Sequence, residues 1–158
     1  MTYLYRMLLW MLLALTAFTW TAADESDSYV YVAPEDLASY WVASKKVAPR
    51  YPREPQMRGT QGCVSLAFVI ESDGTTSHHV ALAVSPSMMF TESTIKAARK
   101  FRYEPADENI DRQSVLTFET FTFQISYDRD RGTPADQVLL STTCSEAAVK
   151  KLGQLGGG

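Results

Sequence analysis

Apolar and polar positions alternate with period two from Gly62 to Ile70. Val64, Leu66, Phe68 and Ile70 share one parity, and Cys63, Ser65, Ala67 and Val69 the other. This alternation predicts a half-buried β-strand. Ser72-Asp73-Gly74 follows, a hairpin turn signal because glycine accepts positive φ without a Cβ clash. Val80, Leu82 and Val84 mark one face of a second strand, ended by Ser85-Pro86-Ser87. Thr91 is placed to cap a helix from Glu92 to Lys100, with Phe90 and Ile95 forming a hydrophobic staple. Ile95, Ala98 and Phe101 would face the sheet. Phe101 to Pro105 leaves the helix extended, since a residue before proline avoids the α region. After a polar loop, Val115 to Tyr127 predicts a long last strand. Phe121, Phe123, Ile125 and Tyr127 alternate on one face, while Leu116 and Phe118 have the opposite parity. That change of parity predicts a bulge near Glu119-Thr120.

The flanks carry weaker patterns. Tyr29 to Val32 reads as a short strand. Pro34-Glu35-Asp36-Leu37 looks like a helix start, with Leu37, Tyr40 and Trp41 on one helical face. Three prolines between Lys45 and Gly59 block regular sheet, but a helical turn fits Arg53 to Arg58. In the tail, Thr133-Pro134-Ala135-Asp136 is a capping box, and Ser145 to Leu152 reads as a second short helix. The final Gly-rich residues should be disordered. The order helix, strand, strand, helix, strand predicts an α+β fold. Its three-stranded antiparallel sheet would be covered on one face, with the last strand at an edge.

Composition changes the picture at the N-terminus. Arg6 precedes the apolar run Met7 to Trp20, and Thr21-Ala22-Ala23 offers small residues before Asp24. Residues 1–23 therefore read as a cleaved signal peptide. The run is short for a membrane span, yet an uncleaved anchor is the alternative. Either way the remainder lies outside the cytoplasm. In an exported chain, Cys63 and Cys144 suggest a disulfide; two separate buried thiols are the other reading. The net charge of −3 argues against nucleic acid as a partner. From Lys45 to Pro105 nine basic residues stand against five acidic ones, which reads as an ordinary solvated surface.

Candidate chemistry is sparse. His78 and His79 are adjacent, so in a strand they point to opposite faces and cannot chelate one metal together. No Cys/His or carboxylate cluster completes a zinc set. Ser93-Thr94-Ile95-Lys96 has the spacing of a serine acyltransferase motif, but its partner motifs are missing. No phosphate-cradling glycine loop is present. No cofactor, metal or catalytic residue is expected.

Taken in order, the residues from Pro49 to Tyr127 resemble the C-terminal domain of TonB-type energy transducers. Pro49-Arg50-Tyr51-Pro52 fits its opening P-x-Y-P. Gly59, Gly62 and Val64, then Phe68-Val69-Ile70 and Asp73-Gly74, fit its first strand and turn. Lys100 to Pro105 fits its aromatic-basic-aromatic-x-Pro exit, and Phe121 to Ile125 its closing strand. The resemblance implies residues 24–47 as an N-terminal extension, 48–127 as the domain and 128–158 as a helical tail. It implies no enzyme. It implies strand addition: an exposed sheet edge pairs with the N-terminal box of an outer-membrane transporter or another extended peptide. The contact would fall on Tyr51 and Pro52 and on Phe121, Phe123, Ile125 and Tyr127. Packing on the sheet is the plain alternative for Tyr51. Engagement of a proton-driven inner-membrane complex, and a homodimer, are further implied partners. Two forms follow: an anchored force transducer, or a soluble periplasmic adaptor of a Gram-negative cell. A full-length stretch 24–47 reaches at most roughly 80 Å, short for a transducer's spacer. A periplasmic enzyme is the alternative from another class, and would need a pocket of polar groups that the sequence does not foretell.

Overall fold

A computed structural model of the chain describes residues 29–125 and 134–155. The expected leader, Tyr127, the capping residue Thr133 and the Gly-rich end lie outside the described residues. The elements are β1 (Val30–Tyr31), a 3-10 turn (Leu37–Ser39), β2 (Trp41–Lys45), α1 (Arg53–Met57), β3 (Gly62–Ile70) and β4 (Thr76–Ser85). A second 3-10 turn (Met88–Phe90) leads into α2 (Thr91–Ala98), followed by β5 (Arg102–Pro105), β6 (Val115–Phe123) and α3 (Pro134–Leu155).

The alternating run forms β3, and all nine of its residues are buried. Antiparallel neighbours flank it, β4 on one side and β6 on the other. The sheet order is β1-β6-β3-β4, and β2 pairs with β5 in a separate ribbon. The expected three antiparallel strands are thus joined by a short parallel one. Val64, Leu66, Phe68 and Ile70 pack with Phe90, Ala98, Phe101, Tyr103, Phe121 and Phe123 in the larger core. Ala67, Leu82 and Phe118 pack with Ala148 in a smaller one on the other face. The sheet is therefore covered on both faces, not one. The second cover is α3, and Cys63 on β3 is bridged to Cys144 on α3 with Cα atoms 6.1 Å apart.

Cover on both faces explains the parity change in β6. Its register with β3 runs unbroken from Gly62↔Phe123 to Ile70↔Val115, so the expected bulge at Glu119-Thr120 is absent. Phe118 and Phe121 simply face different cores. The register shifts fall between β3 and β4 instead. They break the expected face of β4: Leu82 enters the smaller core, Val84 packs on the larger and Val80 is exposed.

Three further expectations change. The predicted helix at Pro34 is a 3-10 turn followed by β2, where Trp41↔Pro105 pairing takes over. Trp41 is buried, and its indole N–H donates to the Gln113 carbonyl at 2.9 Å. The start of α2 is extended by its 3-10 turn, so Ser87 caps it by accepting from the Met89 N–H, while Thr91 lies inside. The two short tail helices are one helix of 22 residues. The Asp-Gly turn forms as expected, with Gly74 at φ +79. A Cβ there would collide with the Tyr103 carbonyl, and the Gly74 carbonyl accepts from the Tyr103 N–H at 2.9 Å.

Candidate functional site

Period-two geometry fixes where the backbone groups of β6 point. Val30 N–H donates to the Ser114 carbonyl at 3.1 Å, and Val32 N–H to the Leu116 carbonyl at 2.9 Å. Both bonds lie on the side of β6 away from β3. Alternate residues share a side, so Phe118, Thr120 and Thr122 also turn their N–H and C=O groups outward. The intervening residues turn theirs to β3. β1 pairs only Val30↔Val115 and Tyr31↔Leu116, in parallel. Val32 then plunges into the larger core, and the chain leaves the edge. Beyond Leu116, no strand among the described residues pairs with this side.

This open edge lies in a slot. Pro34, Leu37 and Lys46 wall one side, Ser145 of α3 lies on the other, and Phe68 and Thr117 to Thr120 complete it. A neighbouring hollow is lined by Lys46 to Pro49, Phe101 and Glu119 to Thr122. Lys46 and Glu119 form an ion pair at 2.7 Å between the two. Both side chains are partly solvated, so the pair adds no more than about 1 kcal/mol to stability. Lys46 Nζ also lies 5.8 Å from the Phe101 ring centroid. Across the β3–β6 pairing, the Ser65 and Thr120 hydroxyls are 2.5 Å apart. Thr117 is buried, and its Oγ1 has no hydrogen-bond partner among the described residues. Burial, and then the Glu35 carboxylate, push the Tyr31 phenol above its usual range. Burial, then Glu119, does the same to Tyr103.

The residues anticipated as contacts divide by position. Phe121 and Phe123 point into the larger core, and their backbone groups face β3. Tyr51 is half-buried edge-on against Phe90 and Phe123, at 5.7 and 5.6 Å between ring centroids. Its hydroxyl donates to the Thr60 carbonyl at 2.5 Å. Pro52 precedes α1, and both line a shallow hollow with Arg50, Arg53, Gln56 and Ser93. Ile125 follows the end of β6, and Tyr127 lies outside the described residues. The edge itself belongs to Phe118, Thr120 and Thr122, which sequence reasoning passed over. Their parity, opposite to Phe121 and Phe123, was the signal available. His78 sits at φ +48 in the irregular part of β4, and His79 stacks on Phe68. Among the described residues no three His, Cys, Asp or Glu side chains gather as a metal set.

Residues 47–125 match the family model described as the Gram-negative bacterial TonB protein C-terminal. The chain belongs to this TonB C-terminal family. The Protein TonB of Pseudomonas aeruginosa is 42% identical over 57 residues. That match covers 36% of this chain and 17% of that protein, so the chain spans far less than two thirds of its relative. The solution NMR structure of the Pseudomonas aeruginosa TonB CTD is 31% identical, with a TM-score of 0.53. It covers 62% of this chain and 97% of that one. The TonB C-terminal match contains β3 to β6, hence the edge. β1, β2, α3 and Cys144 lie outside it. No described helix is long and apolar enough to cross a membrane.

Proposed function

We propose that this chain is a non-enzymatic protein of the Gram-negative envelope that binds an extended segment of a partner protein by strand addition to the outer edge of β6. One observation carries the reading. The edge already accepts a parallel strand, β1, which stops after two residue pairs and leaves the next outward groups open. Unpaired edge N–H and C=O groups supply main-chain hydrogen bonds to an incoming strand, and the slot supplies side-chain contacts. The partner class is the N-terminal box of an outer-membrane transporter, or another extended peptide. The test is titration of such a peptide by calorimetry against the wild type and Thr122→Pro. The exposed Thr122 turns its N–H outward, so proline removes an edge donor without touching the β3 ladder. Binding should weaken at least tenfold while far-UV circular dichroism is unchanged. Equal affinity in a folded variant rules the edge out.

Within this reading, a periplasmic adaptor is favoured over a force transducer by the placement of residues 30–45. The stretch expected as a spacer contains β1 and β2, both paired into the fold. Only a short link would separate the domain from an anchor ending near residue 23. The intact mass of the protein from the cell envelope should therefore lack residues 1–23. A full-length mass in the inner-membrane fraction supports the transducer instead.

A further inference from the structure

The slot at the β6 edge has a wall that the family match does not contain. Ser145 lies in the slot and follows Cys144, whose bridge to Cys63 ties α3 to the neighbouring strand. Cys63 pairs with Thr122, and Ser65 with Thr120, whose hydroxyls face the same side of the sheet as α3. The disulfide thus sets the distance between Ser145 and the open edge. α3 is further held against the sheet through Ala148, which packs on Ala67, Leu82 and Phe118.

We propose that α3 is part of the partner site: Ser145 and the Ser65–Thr120 hydroxyl pair restrict the added strand to small, hydrogen-bonding side chains on its α3-facing row. This rests on the strand-addition reading above. The partner is an extended segment whose alternate positions are serine, threonine, alanine or glycine. The opposite row of that strand meets Thr117, Glu119 and Lys46. There the buried Thr117 hydroxyl, unpartnered among the described residues, is the group that a hydrogen-bonding side chain would satisfy. Ser145 thus bears on one row of the added strand and the orphaned Thr117 hydroxyl on the other. A strand with bulky side chains on the α3 row would have to push a covalently tethered helix aside.

The test uses the full chain and three strand-forming peptides of one length. One carries threonine at two successive central positions, and each of the others carries tryptophan at one of them. Successive positions face opposite rows. Wild-type protein should bind one tryptophan peptide at least tenfold more weakly than the threonine peptide. Ser145→Gly should recover most of that loss for the same peptide alone. Ser145→Trp should weaken the threonine peptide at least tenfold, whereas Glu146→Trp, at an exposed neighbour, should not. Circular dichroism checks each fold, and Ser145→Gly keeps the test decisive if Ser145→Trp does not fold. Equal binding of all three peptides, or no effect of Ser145→Gly, overturns the role of α3 while leaving strand addition standing. Failure of every peptide to bind wild type overturns strand addition itself. A concentration-dependent dimer that Ser145→Trp abolishes would assign the slot to a second copy and also overturn the proposal.

Discussion

At the scale of single residues, His79 shows how position in the fold changes chemistry. Its ring stacks on Phe68 at 6.3 Å between centroids, and Nε2 lies 3.1 Å from the Thr76 hydroxyl. Partial burial first, then the Arg99 and His78 charges, hold its pKa below the ordinary imidazole value. The folded chain therefore takes up this proton less readily than the unfolded one. Stability from the neutral ring is complete above about pH 6.5 and is lost as pH falls through the lower folded value. Melting temperature measured from pH 8 to pH 5 should drop on the acid side, and His79→Gln should flatten that part of the curve. An unchanged slope in the variant would assign the drop to other groups. The hydrogen bonds from Thr75 to Asp73, and the Lys96 contact to Glu92, lower those carboxyl pKa values. Their losses therefore begin at more acidic pH and do not mask the imidazole window. None of this is legible in the sequence, where two adjacent histidines imply regular strand neighbours on opposite faces. The register shift in β4 is what tilts one of them onto Phe68.

At the scale of elements, α3 has the largest effect on the sheet. It buries Ala148 against Ala67, Leu82 and Phe118 and is held by the Cys63–Cys144 bridge. The bridge spans 81 residues, and closing so long a loop in the unfolded chain contributes about 4 kcal/mol in the chain-entropy model. Replacing both cysteines by serine should lower unfolding free energy by about that much in urea, and should expose the α3 face to a hydrophobic dye. Loss of the stability without dye binding would mean that α3 stays docked through Ala148 and Leu152 alone. β2 is hidden in the sequence pattern. Leu37, Tyr40 and Trp41 have helical spacing, but β5 offers Trp41 a partner strand and a buried site. The tail helices merged because the turn signals around Cys144 are weak beside continuous helical hydrogen bonding.

At the scale of the whole molecule, the edge of β6 joins two regions that lie on either side of the family match. The N-terminal stretch supplies β1, Leu37 and Lys46, and the tail supplies Ser145. The sequence by itself determined β3 and its Asp-Gly turn, the α2 region, the extended exit to Pro105 and the identity of the last strand. Those signals are local: period-two alternation, a positive-φ glycine and a residue held extended by the following proline. It also determined the family, because many short matches in the right order are specific together. The tertiary structure alone decided which parity of β6 faces outward, where the register shifts, and that the sheet has two covers. Each of those depends on contacts between residues far apart in the chain. An apolar alternation shows that a face is buried, but only the packed chain shows what lies against it.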